Sequence, residues 1–212
     1  MTQSQDWAGE TEQRVLDEAI ALVPAMGWSR PTVIAAAAAA GLSEPEAELL
    51  LPHGARDLAA LLSRRHDAAA LATLSLTDPN TLKIRERIRV GVIARLDAAR
   101  AQEATVRRWA GFLSLPTNLP LALRLVWESA DVLWRWAGDT ATDENHYSKR
   151  AILSGILVTC LAIDMASGRE EALTHLDRSI DNVMAFEKWK AAFKPTEVAR
   201  DVAGALSRMR YR

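Results

Sequence analysis

The sequence has a single cysteine, Cys160, and four scattered histidines, His53, His66, His146 and His175. One thiol excludes a disulfide framework and any multi-thiolate metal site, and the histidines do not announce a metal centre. A surplus of one charge is also missing. Lys and Arg number 26 against 27 for Asp and Glu, which argues against a globally basic nucleic-acid binder while leaving a local patch open. The first ten residues lack a basic region followed by an apolar run, so they do not read as a secretory signal. They carry Asp6 and Glu10 and no arginine, which reads against a mitochondrial presequence. The most apolar stretch, Ala151 to Ala166, contains Ser154, Thr159 and Asp164 and is shorter than the ~20 residues of a membrane span. It is expected to be a buried helix.

What remains is globular: 49% hydrophobic and 25% charged over 212 residues, ample for a real core. Alanine is abundant and no period-2 strand of useful length appears. Turn residues cut the chain at 27–31, 41–43, 52–54, 77–80, 115–120, 138–143, 167–169 and 194–195. The expectation is an all-α fold of about nine or ten helices, the longest near 54–76, 80–100, 119–137, 145–166 and 169–192. Its parts are read as 1–76, with helix-turn-helix character, 77–194, a helical binding part, and 195–212, a terminal amphipathic helix.

Residues 9–54 have a three-helix layout. Val15, Leu16, Ala19, Ile20 and Val23 make one amphipathic helix, and a second starts behind Pro31. Gly41-Leu42-Ser43 forms the turn, with Ser43 and Glu46 as a capping box. This spacing resembles the TetR repressor family. The helix that would read DNA, residues 44–51, nevertheless carries Glu44, Glu46 and Glu48 and no Lys, Arg, Asn or Gln. Base and phosphate contacts need such donors, so the motif is read as a vestigial scaffold. Arg56, Arg64 and Arg65 on the next helix are within reach of phosphate in principle, and read more simply as a solvated face.

After Asn80 comes a basic helix with Lys83, Arg85, Arg87, Arg89, Arg95 and Arg100. Its apolar stripe is Ile84, Ile88, Val92 and Leu96. Packing is the simpler reading of that stripe, and an anion or lipid-headgroup site is the alternative. Two further helices then form an antiparallel hairpin around the 138–143 turn. Asp131 and Arg150 are equidistant from its centre, which predicts a cross-helix ion pair. Trp134 and Trp136 are two apart and must face different neighbours. The hairpin is apolar nearly all round, which suits a bundle core, a ligand cavity or a partner surface.

The run Ala137-Gly138-Asp139, Thr142-Asp143, Asn145, Tyr147 and Lys149-Arg150-Ala151, preceded by Leu115-Pro116, Asn118 and Pro120, resembles the ubiquinone-biosynthesis lipid-binding accessory protein family. Members of that family have a TetR-like fold but are not repressors. The resemblance implies an internal apolar cavity for isoprenoid lipids. It also implies a surface patch for the di-iron hydroxylase that acts on demethoxyubiquinone. Carried onto this chain, the patch is Pro116, Asn118, Asp131, Leu133, Tyr147 and Arg150. His146 stands where eukaryotic members carry tryptophan. The cavity is expected to draw on Trp127, Trp134, Ile152, Ile156 and Leu157.

Catalytic signals are few. No Glu-x-x-His element occurs, there is no glycine-rich phosphate loop, and Cys160 lies in an apolar helix where thiols are inert. The pair Glu171 and His175 reads as a surface contact. No enzyme, metal or cofactor is expected. Beyond Pro195, Val198, Val202, Leu206 and Met209 share one face, with Arg208 and Arg210 nearby. This pattern suits an interfacial helix on anionic lipid or one folded on its own domain, and the resemblance favours the membrane.

The resulting expectation is a non-enzymatic accessory protein that presents an isoprenoid quinone precursor to the hydroxylase. It would be cytoplasmic, peripheral to the inner face of a bacterial membrane, and without nucleic acid as a partner. A homodimer stays open. The alternative is a TetR-like regulator sensing a small apolar ligand.

Overall fold

A computed structural model describes residues 2–140 and 144–192, with side chains described for 7–140 and 146–185. Among them the chain forms nine α-helices and no strand: α1 (Thr2–Met26), α2 (Arg30–Ala39), α3 (Glu44–Leu50), α4 (Ala55–Leu74), α5 (Ile84–Arg100), α6 (Glu103–Leu113), α7 (Leu119–Trp136), α8 (Glu144–Ser167) and α9 (Arg169–Ala192). Short 3-10 turns at Pro79–Thr81 and Pro116–Asn118 lead into α5 and α7. The all-α expectation and the positions of the long helices agree with this. The expected terminal helix, with Val198, Val202, Leu206, Met209, Arg208 and Arg210, lies outside the described residues.

The turns form where the sequence supplies the needed chemistry. Gly41 has φ 86°, a left-handed conformation that a Cβ would strain. Two residues on, Ser43 donates to Glu46 from its amide at 2.8 Å and from its hydroxyl at 2.6 Å, so the first turn of α3 is capped. The α5–α6 break at Ala101–Gln102 has no such local signature. Gln102 is caught from outside instead, accepting from His66 Nε2 at 3.0 Å.

The apolar residues gather in two clusters. The first joins α1 to α4 with α6 and the start of α7, through Leu16, Leu58, Leu62, Trp109 and Leu125. The second joins the end of α4 to α5, α7, α8 and α9, through Leu74, Val92, Leu133, Leu153 and Leu176. Helix α4 feeds both, and a buried polar knot lies along it. Arg95 Nε sits 2.6 Å from Asp67 Oδ1, and Asp67 Oδ2 accepts from Ser129 at 3.0 Å. One carboxylate thus ties α4 to α5 and α7. Paired and hydrogen-bonded, it avoids the penalty of a lone buried charge.

Charge on the two helices of contested meaning is satisfied within the chain. Arg30 bridges Glu44 at 2.8 Å and Glu48 at 3.0 Å, which ties acidic α3 to the start of α2. Arg56 holds Asn118 Oδ1 at 2.9 Å and Arg65 holds Asp17 at 2.5 Å. These arginines therefore act as interhelical ties, beyond the solvated face expected of them. On α5, Arg89 pairs with Asp177 and Arg100 with Asp164, while Ile88, Val92 and Leu96 are buried. From Ile88 to Leu96 the stripe packs, while Ile84 at its start is exposed.

One expectation about α8 needs correcting. The span 146–167 covers 22 residues and is, by length and composition, apolar enough to cross a membrane. The stretch is longer than the apolar run suggested, because its first turn also belongs to the helix. The helix is also buried along one face only: Leu153, Ile156, Leu157 and Cys160 pack against the other helices, while Ala151, Gly155, Val158 and Ala162 are exposed.

Candidate functional site: a cavity beneath the α7–α8 hairpin

The hairpin is held at its closed end by a five-residue charge network. Gly138 ends α7 with φ 86°, and Arg87 Nη1 donates to the Ala137 carbonyl at 2.7 Å. A Cβ at Gly138 would come within 3.2 Å of that nitrogen. Arg150, 2% exposed, places Nε 2.6 Å from Asp131 Oδ1 and Nη1 3.0 Å from Asp139 Oδ2. Lys149 Nζ reaches Asp139 Oδ1 at 2.7 Å, and Arg135 Nε reaches Asp131 Oδ2 at 2.7 Å. The predicted Asp131–Arg150 pair is present, and Asp139 is an added member that the spacing argument did not name. Burial pushes the Asp139 carboxyl up, but hydrogen bonds and charge from Lys149 and Arg150 outweigh it and hold the group below its ordinary value.

The tryptophans divide as their spacing requires. Trp134 Nε1 donates to the Lys149 carbonyl at 3.1 Å, and the Lys149 ammonium lies 5.3 Å from the Trp134 ring centre. Trp136 turns to α4 and donates to the Leu74 carbonyl at 3.3 Å. Trp127 faces a third way, with its ring 6.1 Å from that of Tyr147, which in turn meets His146 edge-on at 5.2 Å.

Behind Trp134 lies a cavity of about 270 Å³ between α5, α8 and α9. Its buried wall is Ile88, Leu153, Ile156 and Ile180, and its mouth carries Ile84, Arg85, Ile152 and Lys149. Of the five residues expected at a lipid cavity, Trp134, Ile152 and Ile156 line this one. Trp127 and Leu157 do not: the first lies tilted against Tyr147 and the second packs into the core cluster. Three expected partner-patch residues are also turned inward. Leu133 is 2% exposed and fills the space left by Gly91, where an added Cβ would stand 3.4 Å from its Cδ2. Asn118, 3% exposed, clasps Arg56 and donates to the Phe112 carbonyl at 2.9 Å. Arg150 is the buried centre of the network. Of the patch, Pro116 and Tyr147 are exposed, Tyr147 at 64%, and Asp131 is half-buried.

Contributions from α5 and α9 were missed by sequence reasoning. Ile84 and Ile88 were visible as a stripe, but a stripe does not say that its partners leave a void. Elsewhere, Cys160 is fully buried and its thiol is pushed up to about 11 by burial. His175 meets Thr159 at 3.1 Å. No group of three His, Cys, Asp or Glu side chains that could hold a metal occurs among the described residues.

The COQ9 family model matches residues 119–187, that is, α7, α8, their turn and most of α9. Ubiquinone biosynthesis protein COQ9, mitochondrial, of Xenopus tropicalis is 30% identical over 192 residues, covering 82% of this chain and 58% of the relative. COQ9-B of Xenopus laevis is 32% identical over 170 residues, covering 73% and 55%. The Homo sapiens protein is 26% identical over 187 residues, covering 82% and 58%. The chain therefore spans a little over half the length of these curated relatives. With the family model falling on the hairpin and cavity helices, the chain belongs to the COQ9 family.

Proposed function

We propose that this chain is a non-enzymatic accessory protein of ubiquinone biosynthesis. In this reading it takes an isoprenoid quinone precursor into the cavity behind Trp134 and presents it to the demethoxyubiquinone hydroxylase at a membrane surface. The observation that carries the reading is the position of the cavity: an apolar space whose α7, α8 and α9 walls come from the segment matched by the COQ9 family model, with α5 closing the remaining side. The relatives' names supply the pathway. Apolar walls with a few polar groups at the mouth are the usual make-up of a site for an amphiphile.

The hairpin gives this reading a mechanism. Lys149 lines the mouth and also closes the ion network, and Trp134 lines the cavity and bonds to the Lys149 carbonyl. Exposed Tyr147 stands two residues earlier on the same helix, about half a turn round, with Trp127 tilted against it, as a polar-tipped aromatic of the kind that anchors protein interfaces. Lipid and partner would thus be held by opposite faces of one rigid hairpin. The residues beyond Pro195 would supply the membrane contact, through Val198, Val202, Leu206, Met209, Arg208 and Arg210.

Mass spectrometry of lipids extracted from the gently purified full chain tests this. An isoprenoid quinone precursor at near-stoichiometric yield is expected. Recovery of no isoprenoid from protein isolated in its own cells would contradict the carrier reading.

A further inference from the structure

Polar ties gather several helix ends around the α7–α8 turn. Trp136 Nε1 joins the end of α7 to the Leu74 carbonyl at the end of α4, and Arg87 Nη1 joins the start of α5 to the Ala137 carbonyl. Arg85 Nη2 lies 2.9 Å from Asp181 Oδ1 in the second half of α9. The α4–α5 turn, the α7–α8 turn and the outgoing end of α9 therefore share one end of the bundle. The chain leaves α9 there on its way to the proposed membrane contact beyond Pro195.

The α4–α5 turn carries apolar surface at that end. Leu76 is 87% exposed, and Ile84 on the first turn of α5 is 43% exposed. One exposed leucine is ordinary, but the backbone around this one has already exchanged water for internal partners. The Leu76 and Thr77 amides donate to the Thr73 and Leu74 carbonyls, and the Thr81 and Leu82 amides to those of Asp78 and Pro79. The Asn80 amide donates to Asp78 Oδ1 at 2.9 Å. The Ser75 and Thr81 hydroxyls donate to the Ala72 and Asp78 carbonyls, each at 2.7 Å. Donors paired in this way cost little when water is removed. From 75 to 87 the charges are Lys83, Arg85 and Arg87 against Asp78 and Glu86, a slight cationic bias that suits an anionic bilayer surface.

Resting on the membrane reading of residues 195–212, we propose that the α4–α5 turn is a second membrane contact, with Leu76 inserted into the interfacial layer of the bilayer. A terminal helix alone would leave the bundle free to swivel on the membrane. A second contact at the same end fixes its tilt, and burial of the leucine adds to the attachment.

The full chain carrying Leu76→Cys, labelled with the environment-sensitive fluorophore NBD, tests this on vesicles of phosphatidylcholine and cardiolipin. Native Cys160 is fully buried, so the label is confined to position 76. Its emission is expected to shift to the blue when vesicles are added. Leu76→Ser should keep the helical circular dichroism and weaken vesicle binding about fivefold or more. The same changes at Leu123, 62% exposed near the other end of α7, should produce neither effect. Vesicle binding with an unshifted label at 76, or undiminished binding by Leu76→Ser, would overturn the inference and leave the accessory reading standing. Equal shifts at 76 and 123 would mean side-on adsorption, and a shift caused by the hydroxylase without vesicles would mean a protein contact. Either would overturn it too. Failure of the wild-type chain to bind vesicles would overturn both this contact and the membrane step on which it rests.

Discussion

Arg150 reaches from α8 to Asp131 on α7 with Nε 2.6 Å from Oδ1, and its Nη1 donates to Asp139 at 3.0 Å past the end of the same helix. One guanidinium therefore fixes both the spacing of the hairpin and the point where α7 stops. The apolar cavity and the exposed aromatic group sit on the two sides of that clamp.

Arg150→Ala removes the buried cation that Asp131 and Asp139 share, leaving them Arg135 and Lys149. A loss of about 3 kcal/mol in urea unfolding is expected. Asp131→Asn should cost less, since Asp131 is half-buried and Arg150 keeps Asp139.

Leu133→Ala separates core from surface. The side chain is 2% exposed and packs at Gly91, so truncation should destabilise the fold by about 2–5 kcal/mol. Hydroxylase binding at a temperature where the variant stays folded should be unchanged.

Tyr147→Ala should do the opposite. The ring is exposed and rests on Trp127 and His146, so stability should fall by less than about 1 kcal/mol. In a pull-down, retention of the hydroxylase should drop about tenfold or more.

Acid should weaken the protein in two steps. His66 is held neutral by burial and by the nearby Arg95, with its pKa lowered from 6.5 to about 4. Between those values the unfolded chain binds a proton that the folded chain refuses, so stability falls as pH drops from 6.5 towards 4, by about 3 kcal/mol in all. Asp139 acts later. Its folded pKa is depressed, so its contribution is complete above 3.8, the ordinary value, and is lost as pH falls through the folded value. Urea midpoints of wild type and His66→Gln across pH 7 to 4 should converge as pH falls, because the variant lacks the first step.

The hairpin was legible in the sequence to the level of a named ion pair. Gly138 marks the stop of α7, and the symmetric placement of Asp131 and Arg150 about the turn is enough to set them opposite each other. The acidic character of α3 was equally plain from Glu44, Glu46 and Glu48, although their capture by Arg30 was not. Readings failed where a side chain's direction depends on a helix distant in sequence. Leu133 looks like any apolar residue on an all-round apolar helix until Gly91 of α5 draws it inward. Asn118 looks like a surface turn residue until Arg56 clasps it. The cavity could be anticipated from α7 and α8, but its other walls come from α5 and α9, and a void is a property of packing that no single periodicity records.

DNA retention separates the proposed role from that of a ligand-sensing regulator. With the α3 carboxylates paired to Arg30 and Ser43, purified protein should show no salt-dependent, sequence-selective retention of genomic fragments. Such retention would favour the regulator.

The central claim is that lipid held behind Trp134 is what the hydroxylase receives. The most direct measurement is the turnover of demethoxyubiquinone embedded in vesicles by the hydroxylase, alone, with this protein, and with Ile152→Trp. The account predicts clear stimulation by the wild type and loss of most of it in the folded, hydroxylase-binding variant. Equal stimulation by the two proteins, or none by either, would contradict it.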